Sequence, residues 1–324
     1  MFSRMSMNRS TGDYSDEIKK LKNALKTCDA VIIGAGSGLS TAAGYSYSGE
    51  RFMKYFGDFA KRFGIRDIYS GGFYPFPSQE IKWAWWSRHV WVNRYAPAPK
   101  PVYVDLLDAV MDKDYFVIST NVDNAFLRAG FDDKRLFYTQ GDYGLFQCTK
   151  PCHKELYENE EVIRKMILDQ GFIIEEDGNL TIPPEGVRME VSSELFPYCP
   201  KCGAPMDINL RCDDTFVEDA GWHVHSGAYG DFLATHGIKA QGFFTDDTKA
   251  KVDKEYQGKV LLMEFGVGMN TPGIIKYPFW QYTAQNGNVI YACINMGEAY
   301  APTDIEEQSI CVDGDIAEIV KELI

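Results

Sequence analysis

The sequence predicts an α/β fold: a Rossmann-like, doubly wound parallel sheet carrying a smaller inserted helical and zinc-binding domain. Three observations predict it. Near the start, Ala30-Val-Ile-Ile runs into Gly34-Ala-Gly-Ser-Gly38 and then into small, helix-compatible residues as far as Gly44. That is the pattern of a buried parallel strand, a tight turn and the start of a helix. Apolar runs of the same kind return at Tyr115 to Ser119, Lys259 to Gly268 and Asn288 to Asn295. Between the two halves lie two close cysteine pairs, Cys148 with Cys152 and Cys199 with Cys202. Strands alternating with helices at both chain ends make a doubly wound sheet, so the middle is inserted material. The expected division is a dinucleotide-binding domain over 15–45, 96–146 and 255–324, a helical insertion over 46–95 and a zinc-binding small domain over 147–254.

In order, Ser15 to Thr27 reads as a helix. Ser15 is placed to cap it, Asp16 and Glu17 suit its positive end, and Ile18, Leu21 and Leu25 share a face. It feeds the first strand, Ala30 to Ile33. Gly34, Gly36 and Gly38 lack a Cβ, so the backbone can bend and approach a ligand closely. The helix that follows would aim its free amides at an anion, with a dinucleotide pyrophosphate as the expected guest. Such turns also occur with nothing bound.

Residues 45 to 95 break the alternation with glycines and prolines around short helical pieces. Ser78 to Tyr95 is the longest and holds Trp83, Trp85, Trp86 and Trp91. These rings read as packing for a helical subdomain before they read as a platform for a ligand, and His89 among them reads as structural. Pro101 to Asp112 is a helix with Val104, Leu107, Val110 and Met111 at helical spacing. Tyr115 to Ser119 is a strand that ends in Thr120-Asn121-Val122-Asp123, and Leu136 to Thr139 is a short one that ends at Gln140-Gly141. Ligands of open parallel sheets sit beyond the carboxyl ends of strands, which places Asn121, Asp123 and Gln140 within reach of one.

The chain of 324 residues carries a net charge of −13, which argues against a protein that grips nucleic-acid backbone. No apolar run approaches the roughly 20 residues of a membrane span. Met1 to Asp13 is polar, lacks the apolar core of a secretory signal and reads as a loose arm. Eight cysteines without a signal segment argue against a disulfide framework. Cys148, Cys152, Cys199 and Cys202, with a C-x-x-C-G knuckle, suit four thiolates on a structural zinc. A redox pair and unused thiols are the competing readings. The stretch between the pairs reads as a helix and then a hairpin around Asp177-Gly178-Asn179. His223 and His225, read as an H-x-H on a strand, would share a face. A second metal is conceivable there, but satisfied histidines or a solvated face are the plainer reading. At the end, Asp315 caps an amphipathic helix with Ile316, Ile319, Val320 and Leu323 on its buried stripe.

Together these pieces resemble the sirtuin (Sir2) family over most of residues 18 to 324. Gly34-Ala-Gly-Ser-Gly-Leu-Ser-Thr-Ala-Ala-Gly44 is similar to its GAGxSxxxGI turn, and Ser119-Thr-Asn-Val-Asp123 to its TQNID. Ala129-Gly130 and Gln140-Gly141 track its AG…HG, and Gly266-Val-Gly268 stands where the family has GTS. Asn295 and Gly314-Asp315-Ile316 resemble its adenosine contacts. The resemblance implies NAD as co-substrate, held by Gly34, Ala35, Gly36, Ser37, Ser40, Asn121, Asp123, Gln140, Gly266, Gly268, Asn295, Asp315 and Ile316, with structural zinc on the four cysteines.

The departures matter as much. Gln140 replaces the family's catalytic histidine, Tyr45-Ser-Tyr-Ser-Gly49 replaces GIPDFR, and no FGE segment follows Cys202. Such changes resemble the macrodomain-linked, class M sirtuins. That resemblance implies a cytoplasmic NAD-dependent protein ADP-ribosyltransferase. The implied acceptor is a lipoylated, glycine-cleavage-H-like carrier, and the implied functional partner is a macrodomain hydrolase that removes the mark. Deacylation needs a base that draws a proton from a ribose hydroxyl, and histidine has the pKa for it. A glutamine cannot take that proton but can hydrogen-bond hydroxyls. Asn121, Asp123 and Gln140 are therefore the expected catalytic residues. A deacylase with an unusual base and a non-catalytic NAD or ADP-ribose sensor are the alternatives. A dehydrogenase is disfavoured, because the zinc module has no role in one.

Overall fold

The computed structural model describes residues 5–6, 14–241, 246–269 and 272–324. The expected amino-terminal arm lies outside them, apart from a two-residue strand, Met5–Ser6, paired with Ala301–Pro302.

Helix α1 (Ser15–Thr27) buries Ile18, Leu21, Ala24 and Leu25, as its spacing predicts. Its N-cap is Tyr14 rather than Ser15, which sits inside the first turn. Strand β1 (Ala30–Ala35) is buried at all six positions and turns at Gly36 into the short helix α2 (Ser37–Ala42). Helix α3 (Gly49–Phe63) is longer than the short pieces expected there. Its internal Gly57 faces only the end of Met53, at 3.6 Å from a built Cβ, and so does not break it. Helix α4 (Gln79–Val90) is capped by Ser78, whose hydroxyl accepts from the Ile81 amide at 3.3 Å, and runs on into a π turn at Trp91–Tyr95.

Helix α5 (Val102–Val110) presents a different face from the one its spacing suggested. Val102, Tyr103, Leu106, Ala109 and Val110 are buried, while Val104 and Met111 are exposed. Strands β2 (Asp114–Ser119) and β3 (Leu136–Tyr138) follow, then β4 (Gly141–Cys148), helix α6 (Glu160–Asp169) and β5 (Met206–Leu210). The hairpin around Asp177 to Asn179 pairs Ile173–Ile174 with Leu180–Thr181. Residues His223 and His225 lie in helix α7 (Ala220–Thr235), not in a strand, so the two rings do not share a face. The sheet then resumes with β6 (Val260–Phe265), helix α8 (Lys276–Gln285), β7 (Val289–Asn295) and β8 (Ser309–Asp313). Helix α8 and strand β8 were not legible in the sequence. Helix α9 (Ile316–Leu323) closes the described chain, with the Asp315 carboxylate accepting from the Ala317 amide at 2.8 Å.

Six parallel strands lie in the order β8-β7-β6-β1-β2-β3. From β1 the chain walks outward one way to β2 and β3. It then returns to β6 on the other side of β1 and walks the other way. The gap between β1 and β6 is thus the switch point, where an open α/β sheet receives its ligand beyond the carboxyl ends. One face of the sheet, with Val31, Ile33 and Val117, packs on α1, α5 and α9; the other, with Ile32 and Phe116, packs on α7 and α8. Helix α7, which the sequence division puts with the zinc segment, therefore packs on the main sheet. The helical insertion and the zinc segment share a third core, in which Trp83 meets Phe146 edge to face at 5.7 Å. Trp83, Trp85 and Trp91 are buried in that core.

Candidate active site

The turn after β1 is locked to the loop after β6. The Gly36 amide donates to Phe265 O and the Gly38 amide to Gly266 O, both at 3.0 Å. A Cβ on Gly36 would lie 2.6 Å from Gly266 O. These glycines are required first because two backbones touch, and their two amides are already committed to that neighbour. The close approach read from the sequence is real, but its partner within the chain is Gly266. Gly34 meets helix α8, with Ile275 at 2.4 Å from a built Cβ.

Because every strand is parallel, the residues that follow each one gather at one edge. Ser37 and Ser40 follow β1. Asn121 and Asp123 follow β2, and Gln140 follows β3. Gly266 and Gly268 follow β6, Asn295 ends β7, and Asp315 and Ile316 follow β8. Ala35 is the last residue of β1, and Ile316 is buried. The edge is tied together by Gly314, whose amide donates to Asn295 O at 3.3 Å, and by Asn295, whose Nδ2 donates to Val267 O at 3.4 Å.

Its most polar part lies across β1 and β2. Ser40 Oγ donates to Asp123 Oδ2 at 2.5 Å, and the Ala125 amide donates to Asp123 Oδ1 at 3.0 Å. Burial pushes the Asp123 carboxyl above its usual range, and these two donors pull it back. Asn121 Nδ2 donates to Gly36 O at 2.9 Å, so the turn after β1 also fixes the amide. Asn124 stands at φ 53°, the one non-glycine residue with positive φ among those described. Its Nδ2 donates to Asp142 Oδ2 at 3.1 Å, and Asp142 is gripped by Arg94 Nε at 2.7 Å. Strained backbone held by such a network clusters at functional sites.

Gln140 lies at the turn into β4, where its carbonyl accepts from the Arg211 amide at 3.0 Å. The turn needs Gly141, at φ 98°, because a Cβ there would lie 2.0 Å from Asn209 O. Thr139 anchors the turn to β2: its amide donates to Ser119 O at 3.0 Å and its hydroxyl to the same oxygen at 3.1 Å.

Sequence reasoning missed Tyr103, Arg94 and Asp142. Tyr103 was hidden by the misjudged face of α5. Arg94 and Asp142 are separated in sequence, and no spacing marks their pairing. His89 is buried with neither ring nitrogen partnered, and burial, with the Arg51 guanidinium, pushes it down to about 3. Lys276 Nζ and Glu264 Oε1 make a fully buried ion pair at 2.5 Å, joined by the Tyr291 hydroxyl at 2.9 Å. Both belong to the packed interior of the sheet. His223 Nδ1 meets Asp247 Oδ2 at 3.0 Å and His225 Nδ1 meets Leu136 O at 2.7 Å. Each is thus satisfied within the chain, in line with the plainer of its two readings.

The metal site is compact. The sulfurs of Cys148, Cys152, Cys199 and Cys202 lie within 4.8 Å of one another, with Cys148–Cys202 at 3.6 Å and Cys152–Cys199 at 3.7 Å. A tetrahedron with Zn–S bonds of about 2.3 Å has edges of about 3.8 Å, so this donor set fits a zinc ion of the closed, structural kind. His153 Nε2 lies 3.4 Å from Cys199 Sγ, beside the cluster and outside the set of four.

No family model matches the chain. It is 33% identical over 309 residues to the protein ADP-ribosyltransferase of Staphylococcus aureus strain Mu50, covering 95% of this chain and 87% of that one. It is 29% identical over 318 residues to a "Probable bifunctional ADP-ribose hydrolase/ADP-ribosyltransferase" of Fusarium oxysporum f. sp. cubense, covering 93% of this chain and 46% of the relative. Among solved structures it resembles Sir2Tm bound to a propionylated peptide, with a TM-score of 0.51 at 15% identity, over 94% of this chain and 95% of the other. It also resembles a mutant Sir2 homologue in complex with 2′-O-acetyl-ADP-ribose, with a TM-score of 0.51 at 14% identity, over 94% of each chain. At such identities the likeness is one of fold. The fold is that of the sirtuins, and by its sequence the chain belongs to the protein ADP-ribosyltransferases built on it.

Proposed function

We propose that this protein takes ADP-ribose from NAD and hands it to a lipoylated, glycine-cleavage-H-like carrier protein in the cytoplasm, releasing nicotinamide. The observation that carries the reading is Gln140. It stands where the resemblance puts the histidine of a deacylase, at the carboxyl edge shared with Asn121 and Asp123. A pocket that lacks a proton acceptor there cannot draw a proton from a ribose hydroxyl, but it can still activate the donor. NAD supplies the activated glycosidic bond, whose cleavage leaves positive charge on the ribose. The chain's share is to fix geometry and to surround that charge with oriented dipoles and a carboxylate. Asn121 and Asp123 are held to do so by Gly36, Ser40 and Ala125. Gln140 hydrogen-bonds the ribose. Gly266, Gly268, Asn295, Asp315 and Ile316 border the adenosine.

A relative named for both ADP-ribose hydrolase and transferase supports a macrodomain hydrolase as the functional partner. Among the described residues no helix is long and apolar enough to cross a membrane.

The test is direct. The chain is mixed with labelled NAD and a carrier whose lipoylation has been verified. Label should pass to the lipoylated carrier and not to the bare one, with nicotinamide released in step. Gln140→Ala and Asn121→Ala should each lower transfer by roughly 100-fold or more. No label on a verified lipoyl carrier rejects that acceptor. Full activity in both variants rejects the assignment of the site.

A further inference from the structure

No motif marks Tyr103. It stands on α5, buried, with its ring edge-to-face on Phe126 at 4.9 Å between centroids. A phenylalanine would fill that space equally well, and a buried hydroxyl is unfavourable unless it is paired. The hydroxyl of Tyr103 is paired twice: Ser40 Oγ lies 2.9 Å away and Asn121 Nδ2 lies 3.5 Å away. Those are the two side chains that flank the Asp123 carboxyl and the turn after β1.

The direction of each bond follows from what each atom can do. A carboxylate only accepts, so the Ser40 hydroxyl donates to Asp123 at 2.5 Å. The Ser40 oxygen is then open to the proton of Tyr103. An amide nitrogen only donates, and Asn121 Nδ2 gives one proton to Gly36 O at 2.9 Å and the other to the Tyr103 oxygen. The bonds run one way, from Asn121 through Tyr103 and Ser40 to Asp123. With both amide protons engaged inward, Asn121 Oδ1 is the atom left to face a ligand. A flipped amide would set that oxygen against Gly36 O, acceptor to acceptor.

We propose that Tyr103 is a positioning residue of the donor site. It holds Asn121 with its carbonyl oxygen outward and strengthens the bond from Ser40 to Asp123. The site then offers two negative poles, a carbonyl and a carboxylate, to the charge that develops on the ribose. This rests on the donor chemistry proposed above, and it assigns no bond-making step to Tyr103 itself.

The test uses the full chain carrying Tyr103→Phe, with nicotinamide release from NAD followed against pH. We expect kcat to fall about tenfold while the Kd for NAD stays within about threefold, since what is lost is orientation in the transition state. The acid limb of the pH profile should move to higher pH, because Asp123 loses part of the donor chain that favours its ionised form. The melting temperature should fall by no more than about 2 °C. Phe126→Leu is the control: it loosens the ring contact but leaves the hydroxyl, and should not move the acid limb. Combined with Ser40→Ala, Tyr103→Phe should lower the rate by less than the product of the two single losses.

An unchanged kcat and pH profile in Tyr103→Phe overturns the proposal. So does the same shift in Phe126→Leu, or a double variant whose losses simply multiply. A wild-type chain that releases nicotinamide without labelling the carrier defeats only the choice of acceptor. A wild-type chain that releases none defeats the donor chemistry and the role of Tyr103 with it.

Discussion

Gly38 and Gly266 meet backbone to backbone: a Cβ on Gly38 would lie 2.6 Å from Gly266 Cα, and one on Gly266 would lie 2.4 Å from Gly38 Cα. The two loops at the switch point are thus one interlocked unit, and the pocket edge they form is set by the absence of two methyl groups. Gly266 also sits at φ 60°, a conformation that side chains disfavour. Gly266→Ala should therefore destabilise the protein by about 2 kcal/mol or more and weaken NAD binding together with stability. Denaturant midpoints and calorimetric titration check both; a neutral alanine would show that the loops can part without loss.

The four-cysteine cluster should hold about one zinc per chain by elemental analysis. Cys152→Ser should lose the metal and lower the melting temperature, because a zinc ion held by the four cysteines would join the carboxyl end of β4 to the knuckle before β5. A chelator should reproduce the loss in the wild type and do nothing further to the variant. Purified protein free of zinc, with a melting temperature unmoved by the substitution, would count against the assignment.

The pair Glu264–Lys276 is buried at 0% exposure on both sides. Burial pushes the Glu264 carboxyl up, and the Lys276 ammonium with the Tyr291 hydroxyl holds it back. Lys276→Met leaves the carboxyl with its Tyr291 hydrogen bond but without its counter-charge in the core, at a cost of about 3–5 kcal/mol near neutral pH. A carboxyl whose folded pKa is raised is best tolerated below its unfolded value and costs stability as pH rises through the folded one. The defect of Lys276→Met should therefore shrink from pH 8 toward pH 5 in urea titrations. A defect that does not vary with pH would mean that Glu264 keeps its charge there by another route.

His89 gives the opposite sign. Its ring is held neutral, with its pKa pushed down to about 3, while the unfolded chain takes up a proton below its ordinary value. The contribution is present above about pH 6.5 and is lost as pH falls, by about 1.4 kcal/mol per unit. His89→Phe should flatten the decline in stability between pH 6.5 and pH 5 relative to the wild type. Parallel curves for the two proteins would show that His89 is not among the groups that set that slope.

The strand runs, the glycine turn, the cysteine pairs and the cap at Asp315 were legible because each rests on neighbours within a few residues. The positions that failed rest on distant ones. Ser15 reads as a cap, but it is the first helical residue and the cap position falls one residue earlier, on Tyr14. The face of α5 was misjudged by the spacing of Val104 and Met111, since only the sheet beneath decides which stripe is covered. Strand β8 is short, and what makes it a strand is β7 alongside, with Cys311 opposite Cys293. His223 and His225 were read at a period of two, and the helix imposes 3.6.

By itself the sequence determined which segments could be strand, turn or thiolate donor, because those depend on side-chain type at short range. Only the tertiary structure decided that Gly36 and Gly38 are spent on Gly266, that Tyr103 turns inward to Ser40 and Asn121, and that the tryptophans join the zinc segment in one core. The physical reason is common to all three: burial, steric contact and hydrogen-bond pairing are fixed by whichever distant backbone arrives, and distance along the chain carries no information about that arrival.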